Sequence, residues 1–330
     1  EASLLYFRFL FFSLCIWFLL DEDIDIIRKF SIALFVTFIV AILSGYCQYF
    51  TGYNIFGITS DSQRLTLLIS EKLYLGGYLA RLMPFTLGIL ILVCAKSKNY
   101  NLYVLFFFLL VVTTDILIFI SGERTAFILL AMSIVAFIIL ISSFRKIRIL
   151  SLILTIITLI IITLSSTKIS ERNIDHTLRQ LGVTSDNYSP RHLPIFQGSI
   201  EVFKDHILLG SGPKTYREEC KKERYNVNKY TCSTHSHNSY LQILSETGLI
   251  GFLFLVIIFG YVCYSLSNYA INHFIYQKQT LSDYQICLLI CFFITLWPFQ
   301  PTMSFFNNWI NIIYYFPLGF YLHSIYSRQN

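Results

Sequence analysis

Residues 102–164 read LYVLFFFLLVVTTDILIFISGERTAFILLAMSIVAFIILISSFRKIRILSLILTIITLIIITL, three apolar runs interrupted only by short polar breaks around SGER (121–124) and FRKIR (144–148). About 20 apolar helical residues cross the ~30 Å hydrocarbon core of a bilayer. Each run approaches that length. Further runs lie at 3–20, 30–46, 73–94, 250–266, 284–297 and 309–326. The run at 284–297 is short and ends at Pro298, so its limits are the least defined. The run at 73–94 carries Arg81 and Pro84, and is tolerable only where Arg81 faces protein or water. The expected fold is all-α, a polytopic transmembrane helical bundle of about nine spans with one large extracytoplasmic loop that contains helices.

Composition excludes a water-soluble globular domain. Hydrophobic residues make up 55% of the 330 and charged ones 13%, about half the ~25% of a soluble domain. The mean hydropathy is +0.62. The 31 Phe and 22 Tyr suit helix contacts and interfacial belts. Net charge is +6, and its distribution says more than its sum. Compact basic loops at 95–100 (AKSKNY), 144–148 and 271–282 belong in the cytoplasm by the positive-inside rule. The acid-rich 21–29 joins them, because acids count little in that rule. Segments 48–72, 121–124, 165–249 and 298–308 then face outward, and the first helix runs inward. This leads us to expect an odd number of helices, three being the natural guess, ahead of Glu1. No signal peptide is read. Three regions follow: an N-terminal transmembrane bundle of about six spans (1–164), a large outer loop (165–249) and about three C-terminal spans (250–330).

The outer loop holds eleven Lys or Arg and eight Asp or Glu between 166 and 235. Its positive balance fits a solvated ectodomain, and it also fits a site for a polyanion such as a pyrophosphate or acidic sugar. Apolar positions in 193–209 recur at helical intervals, so an amphipathic helix is expected along the membrane face or against the bundle. LLGSGP (208–213) follows as a turn. Cys220 and Cys232 share this polar segment, either as free thiols or as a disulfide in an oxidising compartment; spacing alone decides neither. The other six cysteines lie in or beside apolar stretches.

Two constellations carry chemistry. In SGERTA (121–126), Arg124 opens a span, where it pairs with Glu123 or Asp115, or else points into an outer cavity and grips an anion. In THSHNSYLQ (234–242), Asn238 or Ser236 is placed to cap the next helix, whose amides favour an anion. His237 sits beside that pole as a candidate general base. The bland reading of His235 and His237 is a pair of solvated loop residues. A zinc site on Cys232, His235 and His237 lacks a fourth ligand at recognisable spacing. Arg64, Arg81, Arg172, Arg179 and Arg191 are scattered on the outer side, and Arg191 directly precedes the amphipathic stretch.

These residues resemble the O-antigen ligase family, within the wider superfamily of surface-polysaccharide polymerases and ligases. The most specific match is His237-Asn238, nine residues, Gly248, two residues and Gly251. Weaker matches follow the family's order: 52–84 (GYNIFGITSDSQRLTLLISEKLYLGGYLARLMP), SGERTA, and 191–216 (RHLPIFQGSIEVFKDHILLGSGPKTY). The resemblance implies a metal-independent glycosyltransferase, without cofactor, in the bacterial inner membrane with its active site on the periplasmic side. It would take a glycan from undecaprenyl pyrophosphate to lipid A-core. By motif, His237 would deprotonate the acceptor hydroxyl, and Arg124 and Arg191 would hold the donor pyrophosphate. Arg64 and Arg81 match less specific basic positions; His235, Asn238 and Tyr240 are further substrate-binding candidates. Membrane lipids are the expected surroundings, and no nucleic acid is implied.

A polysaccharide polymerase or a protein O-oligosaccharyltransferase of the same superfamily would differ only in acceptor. A transporter of the lipid-linked glycan would need ionisable groups near mid-membrane and often repeated halves. Here mid-membrane charges are few (Arg8, Arg81, Asp115) and the chemistry-bearing residues gather at one face, which favours interfacial catalysis.

Overall fold

The computed structural model describes residues 6–23, 25–59, 64–68, 72–95, 100–175 and 192–326. Arg179 and Arg191 lie outside these residues. In chain order the long helices are α1 (Phe7–Glu22), α2 (Asp25–Thr51), α3 (Leu75–Ala95), α4 (Tyr100–Ile120), α5 (Arg124–Leu140), α6 (Arg145–Ser165), α7 (Leu193–Asp205), α8 (Ser239–Phe274), α9 (Asp283–Thr295) and α10 (Asn308–Tyr326). Among the described residues, every apolar run read from the sequence falls on a helix, and α7 lies in the amphipathic stretch. Among the described residues the only β pairing is an isolated bridge between Tyr53 and Thr59.

By length and composition α2, α3, α4, α6 and α8 are long and apolar enough to cross a membrane; α5 and α9 are shorter apolar helices. Burial separates their roles. In α3, 72% of the apolar window is buried, against 11% in α8 and 17% in α6. Helices that leave this much Leu, Ile and Phe uncovered need lipid as their solvent. The chain is a helical membrane protein with α3 at its centre, packed by α9, α4, α5 and α2.

α9 is only 13 residues long, about 20 Å at the helical rise. Protein surrounds it: Ile286, Cys287, Leu288, Leu289, Ile290 and Cys291 are all fully buried. Close approach to α3 is possible at Gly88, where a Cβ would come within 2.7 Å of the Cys287 Cβ. A capping box starts α9, with Ser282 Oγ accepting from the Gln285 amide and Gln285 Oε1 accepting from the Ser282 amide. Arg148, read from sequence as a topology signal, has a structural duty as well. It is buried and donates to the Phe137, Ile141 and Ser143 carbonyls, satisfying the C-terminal end of α5.

α7 lies against α8, the second of the two placements expected for it. Its buried face is Pro194, Ile195, Gly198, Ser199 and Val202.

Candidate active site

The helix after the His motif begins at Ser239, eleven residues before the apolar run at 250. Asn238 explains the early start. Its Oδ1 accepts from the amides of Tyr240 and Leu241, both at 3.0 Å, so it is the N-cap. Its Nδ2 donates to the carbonyls of Pro298 (2.7 Å) and Gln300 (3.3 Å), tying the cap to the 298–307 loop. Tyr240 donates its hydroxyl to the Leu296 carbonyl at 2.7 Å. Both residues spend their polar atoms on protein, and so position the loop beside them.

His237 precedes the cap with a left-handed φ of +52°, an uncommon backbone state for a residue with a Cβ. The Thr302 amide donates to its carbonyl at 2.9 Å and holds this turn. Its Nε2 lies 3.0 Å from Ser233 Oγ. The His235 ring is 4.1 Å away between centroids and the His192 ring 4.9 Å. His235 Nε2 is 3.2 Å from the Thr302 carbonyl. Burial, then His235 and His192, pull the His237 imidazole down to about 4. Burial likewise lowers His235. The pair is therefore partly buried and neutral near pH 7, which differs from solvated loop residues. A neutral imidazole is the form that accepts a proton. Arg191 lies outside the described residues, but its chain neighbour His192 stands against His237.

The Gly248-x-x-Gly251 element has a backbone reason. Gly248 breaks α8 with φ +68° and ψ −165°. The 207–212 turn docks there: Leu249 and Ile250 amides donate to Ile207 and Leu208 carbonyls, and Ser211 and Gly212 amides donate to Ser245 and Glu246 carbonyls. The buried Glu246 carboxylate then accepts from the amides of Lys214 (2.8 Å) and Tyr216 (3.0 Å) and from Gln242 Nε2 (3.1 Å). The motif clamps the LLGSGP turn to the first turns of α8, just beyond the His237 cap.

The SGERTA turn is a second hub. Glu123 accepts from the Gly76 (2.7 Å) and Gly77 (3.1 Å) amides in the first turn of α3 and lies 3.7 Å from Arg64. A carboxylate is favoured at such an N-terminus. Burial nevertheless pushes its carboxyl up to about 7, against the pull of Arg64 and the two amides. Arg172 Nε donates to the Gly122 carbonyl and Asn173 to the Phe119 carbonyl. Of the two acids weighed as partners for Arg124, Glu123 serves Arg64 and α3, and Asp115 accepts from Thr155. Arg124 is half-buried at the first position of α5.

Arg81 joins the two hubs. It is 1% exposed, donates to the Gly77 carbonyl (3.0 Å) and to Gln300 Oε1 (2.7 Å), and lies 5.5 Å over the Tyr74 ring. Arg81 thus faces protein, as a charge in that span requires. Gln300 in turn presents its carbonyl to Asn238. The path from Glu123 through Gly77, Arg81 and Gln300 ends at the His237 cap. Arg64 donates to the Leu73 carbonyl (2.8 Å) beside the same turn. Among the described residues, no three His, Cys, Asp or Glu side chains converge as a metal site would need.

Ser233 is a near neighbour of His237 in the chain, whereas His192, Gln300 and Thr302 surround the motif without a local spacing signal, since chain folding alone brings them there. Gln300 is 219 residues from Arg81. No individually curated protein matches the chain. Residues 105–256, which include the SGERTA turn, the His237 cap and the glycine clamp, match the family model described as O-Antigen ligase, a match that supports membership of that family.

Proposed function

We propose that the chain is a metal-independent glycosyltransferase that moves a glycan from undecaprenyl pyrophosphate to lipid A-core, with its active site on the periplasmic side of the inner membrane. The observation that carries this reading is His237, a neutral imidazole at a helix N-terminus, linked through Asn238 and Gln300 to the buried cation Arg81. The acceptor hydroxyl is a poor nucleophile, and His237 takes its proton as the oxygen attacks the anomeric carbon. The bond from that carbon to pyrophosphate breaks, and undecaprenyl pyrophosphate leaves with the electron pair.

Charge on the departing pyrophosphate needs cations that are already in place. Arg124 and Arg191 are assigned to grip it, Arg64 lines its path, and Arg81 contributes its field from behind. Asn238 and Tyr240 hold the loop, and His235 flanks the base. In the complex the donor's negative charge raises the basicity of His237 above its resting level. Attack opposite the leaving group inverts the anomeric centre.

The test is transfer by the purified chain from a synthetic undecaprenyl-pyrophosphate glycan to lipid A-core, with NMR of the new linkage. Inverted product from wild type and none from folded His237→Ala is the expected result. A retained configuration refutes direct displacement. Extension of the donor glycan itself, with lipid A-core untouched, makes the protein a polymerase.

A further inference from the structure

Two thiols that sequence spacing left undecided lie on segments that touch in the folded chain, where both are free. Cys220 is fully buried and packs with Ile195 and Tyr216. Its sulfur donates to the Arg217 carbonyl at 3.7 Å, and Cys232 and the Ser233 amide are among the groups that act on its thiol. An independent contact fixes the same approach: the Tyr216 hydroxyl, from the turn that leads into Cys220, is 2.8 Å from the Thr231 carbonyl, one residue before Cys232. Cys232 is exposed. Ser233, the next residue, holds His237 Nε2 at 3.0 Å.

We infer that Cys220 and Cys232 are the two halves of a disulfide that staples the His237 loop to the Tyr216–Glu219 turn. This rests on the proposal that the loop faces an oxidising compartment. The oxidant is a dithiol-disulfide oxidase. The exposed Cys232 thiolate attacks one oxidant sulfur, giving a mixed disulfide and one released oxidant thiolate. Cys220 then loses its proton and attacks the Cys232 sulfur, expelling the second oxidant thiolate. Two cysteine thiols are oxidised and one oxidant disulfide is reduced to a dithiol, so atoms and electrons balance. Burial pushes the Cys220 thiol up to about 12, which suits the resolving partner and leaves first attack to Cys232.

The staple closes a ring of about 13 residues, and its reduction releases the loop preceding the base. Reductant is expected to speed tryptic cleavage within 221–229 roughly tenfold to a hundredfold, from the loop-closure entropy of such a ring.

The experiment uses the full chain in cells. Free thiols are blocked with N-ethylmaleimide, the protein is reduced, and the released thiols are counted with a maleimide-polyethylene glycol. A phosphatase reporter inserted at Val227 of a separate copy reads which compartment the loop occupies. Two thiols appearing only after reduction, and none in Cys220→Ser or Cys232→Ser, is the expected result, with a 220–232 cross-linked peptide 2 Da lighter than its reduced halves. Both thiols already blocked while the reporter shows the loop outside overturns the inference. If the reporter shows the loop in the cytoplasm, the placement has failed instead, and purified chain treated with a dithiol oxidase decides the pairing itself. A cross-linked peptide then upholds the juxtaposition, and its absence overturns it.

Discussion

Replacing Gly248 with Ala puts a Cβ where the backbone of the docked turn already runs. Its nearest neighbours would be the Leu208 oxygen at 2.3 Å, the Leu208 carbonyl carbon at 2.4 Å and the Gly210 nitrogen at 2.6 Å. None of these can rotate aside. The φ and ψ of +68° and −165° belong to a region open essentially to Gly, and holding another residue there costs about 1–3 kcal/mol. Relief requires the turn to move off, which breaks the Leu249 bond to Ile207 (2.7 Å) and the Ile250 bond to Leu208 (3.4 Å). Each is worth about 0.5–1.5 kcal/mol and resists undocking in both proteins, so undocking becomes easier by the dihedral strain of about 1–3 kcal/mol, to which the overlap with the turn backbone adds.

Gly251→Ala is the matched control. Its Cβ would meet the Thr247 side chain, Oγ1 at 2.0 Å and Cβ at 2.8 Å, with no turn backbone within reach. A small shift and a new Thr247 rotamer relieve it, and Ala's helix propensity returns up to about 1 kcal/mol. The assay is tryptic nicking after the exposed Lys214 in detergent-solubilised protein, alongside melting. Gly248→Ala should be nicked at least about tenfold faster, one decade per 1.4 kcal/mol, and Gly251→Ala within a few-fold of wild type. Equal rates for Gly248→Ala and wild type, or a larger effect at Gly251, would refute the backbone-clamp reasoning.

Asn238→Ala removes the cap of α8 and both bonds to the 298–300 carbonyls; losing about 1–2 kcal/mol for the cap alone, it should melt several degrees lower, and an unchanged melt counts against the capping role. Because His237 in the resting protein stays neutral down to about pH 4, kcat/KM for transfer, which reports the free enzyme, should remain level from pH 8 to pH 6, and a midpoint there at its ordinary value near 6.5 would show that the imidazole is solvated. The same shift fixes a stability trend: between pH 6.5 and about 4 the unfolded chain binds more protons than the native one, so this contribution is full above 6.5 and fades toward 4, which melting curves will show or deny. Transfer should persist in excess EDTA, since arginines take the role a metal would otherwise fill; loss of activity restored by a divalent cation contradicts this.

Most helices were legible because lipid imposes a simple rule: about 20 apolar residues, read as runs. Polar contacts set the ends, and these were less visible. α8 starts at Ser239 because Asn238 caps it and because Gln242, Ser245 and Glu246 find partners in the 207–216 turn and the 298–307 loop; hydropathy sees only polar letters there. A cap at Asn238 or Ser236 was readable from their place before an apolar helix, and the structure makes it Asn238. The service of Glu123 to Arg64 and α3 was not readable, because it depends on α3 presenting Gly76 and Gly77 to the turn. Gln300 likewise gains meaning only once α3 and the 298–307 loop meet.

The most direct test of the central claim is complementation of a ligase-null Gram-negative host, carrying a compatible core and glycan, by the full-length gene, His237→Ala and Arg124→Ala, with membrane insertion of each verified. Ladders of glycan-bearing lipopolysaccharide from wild type and none from either inserted variant are predicted. Ladders that persist with His237→Ala would contradict the assignment of the base, whatever the family.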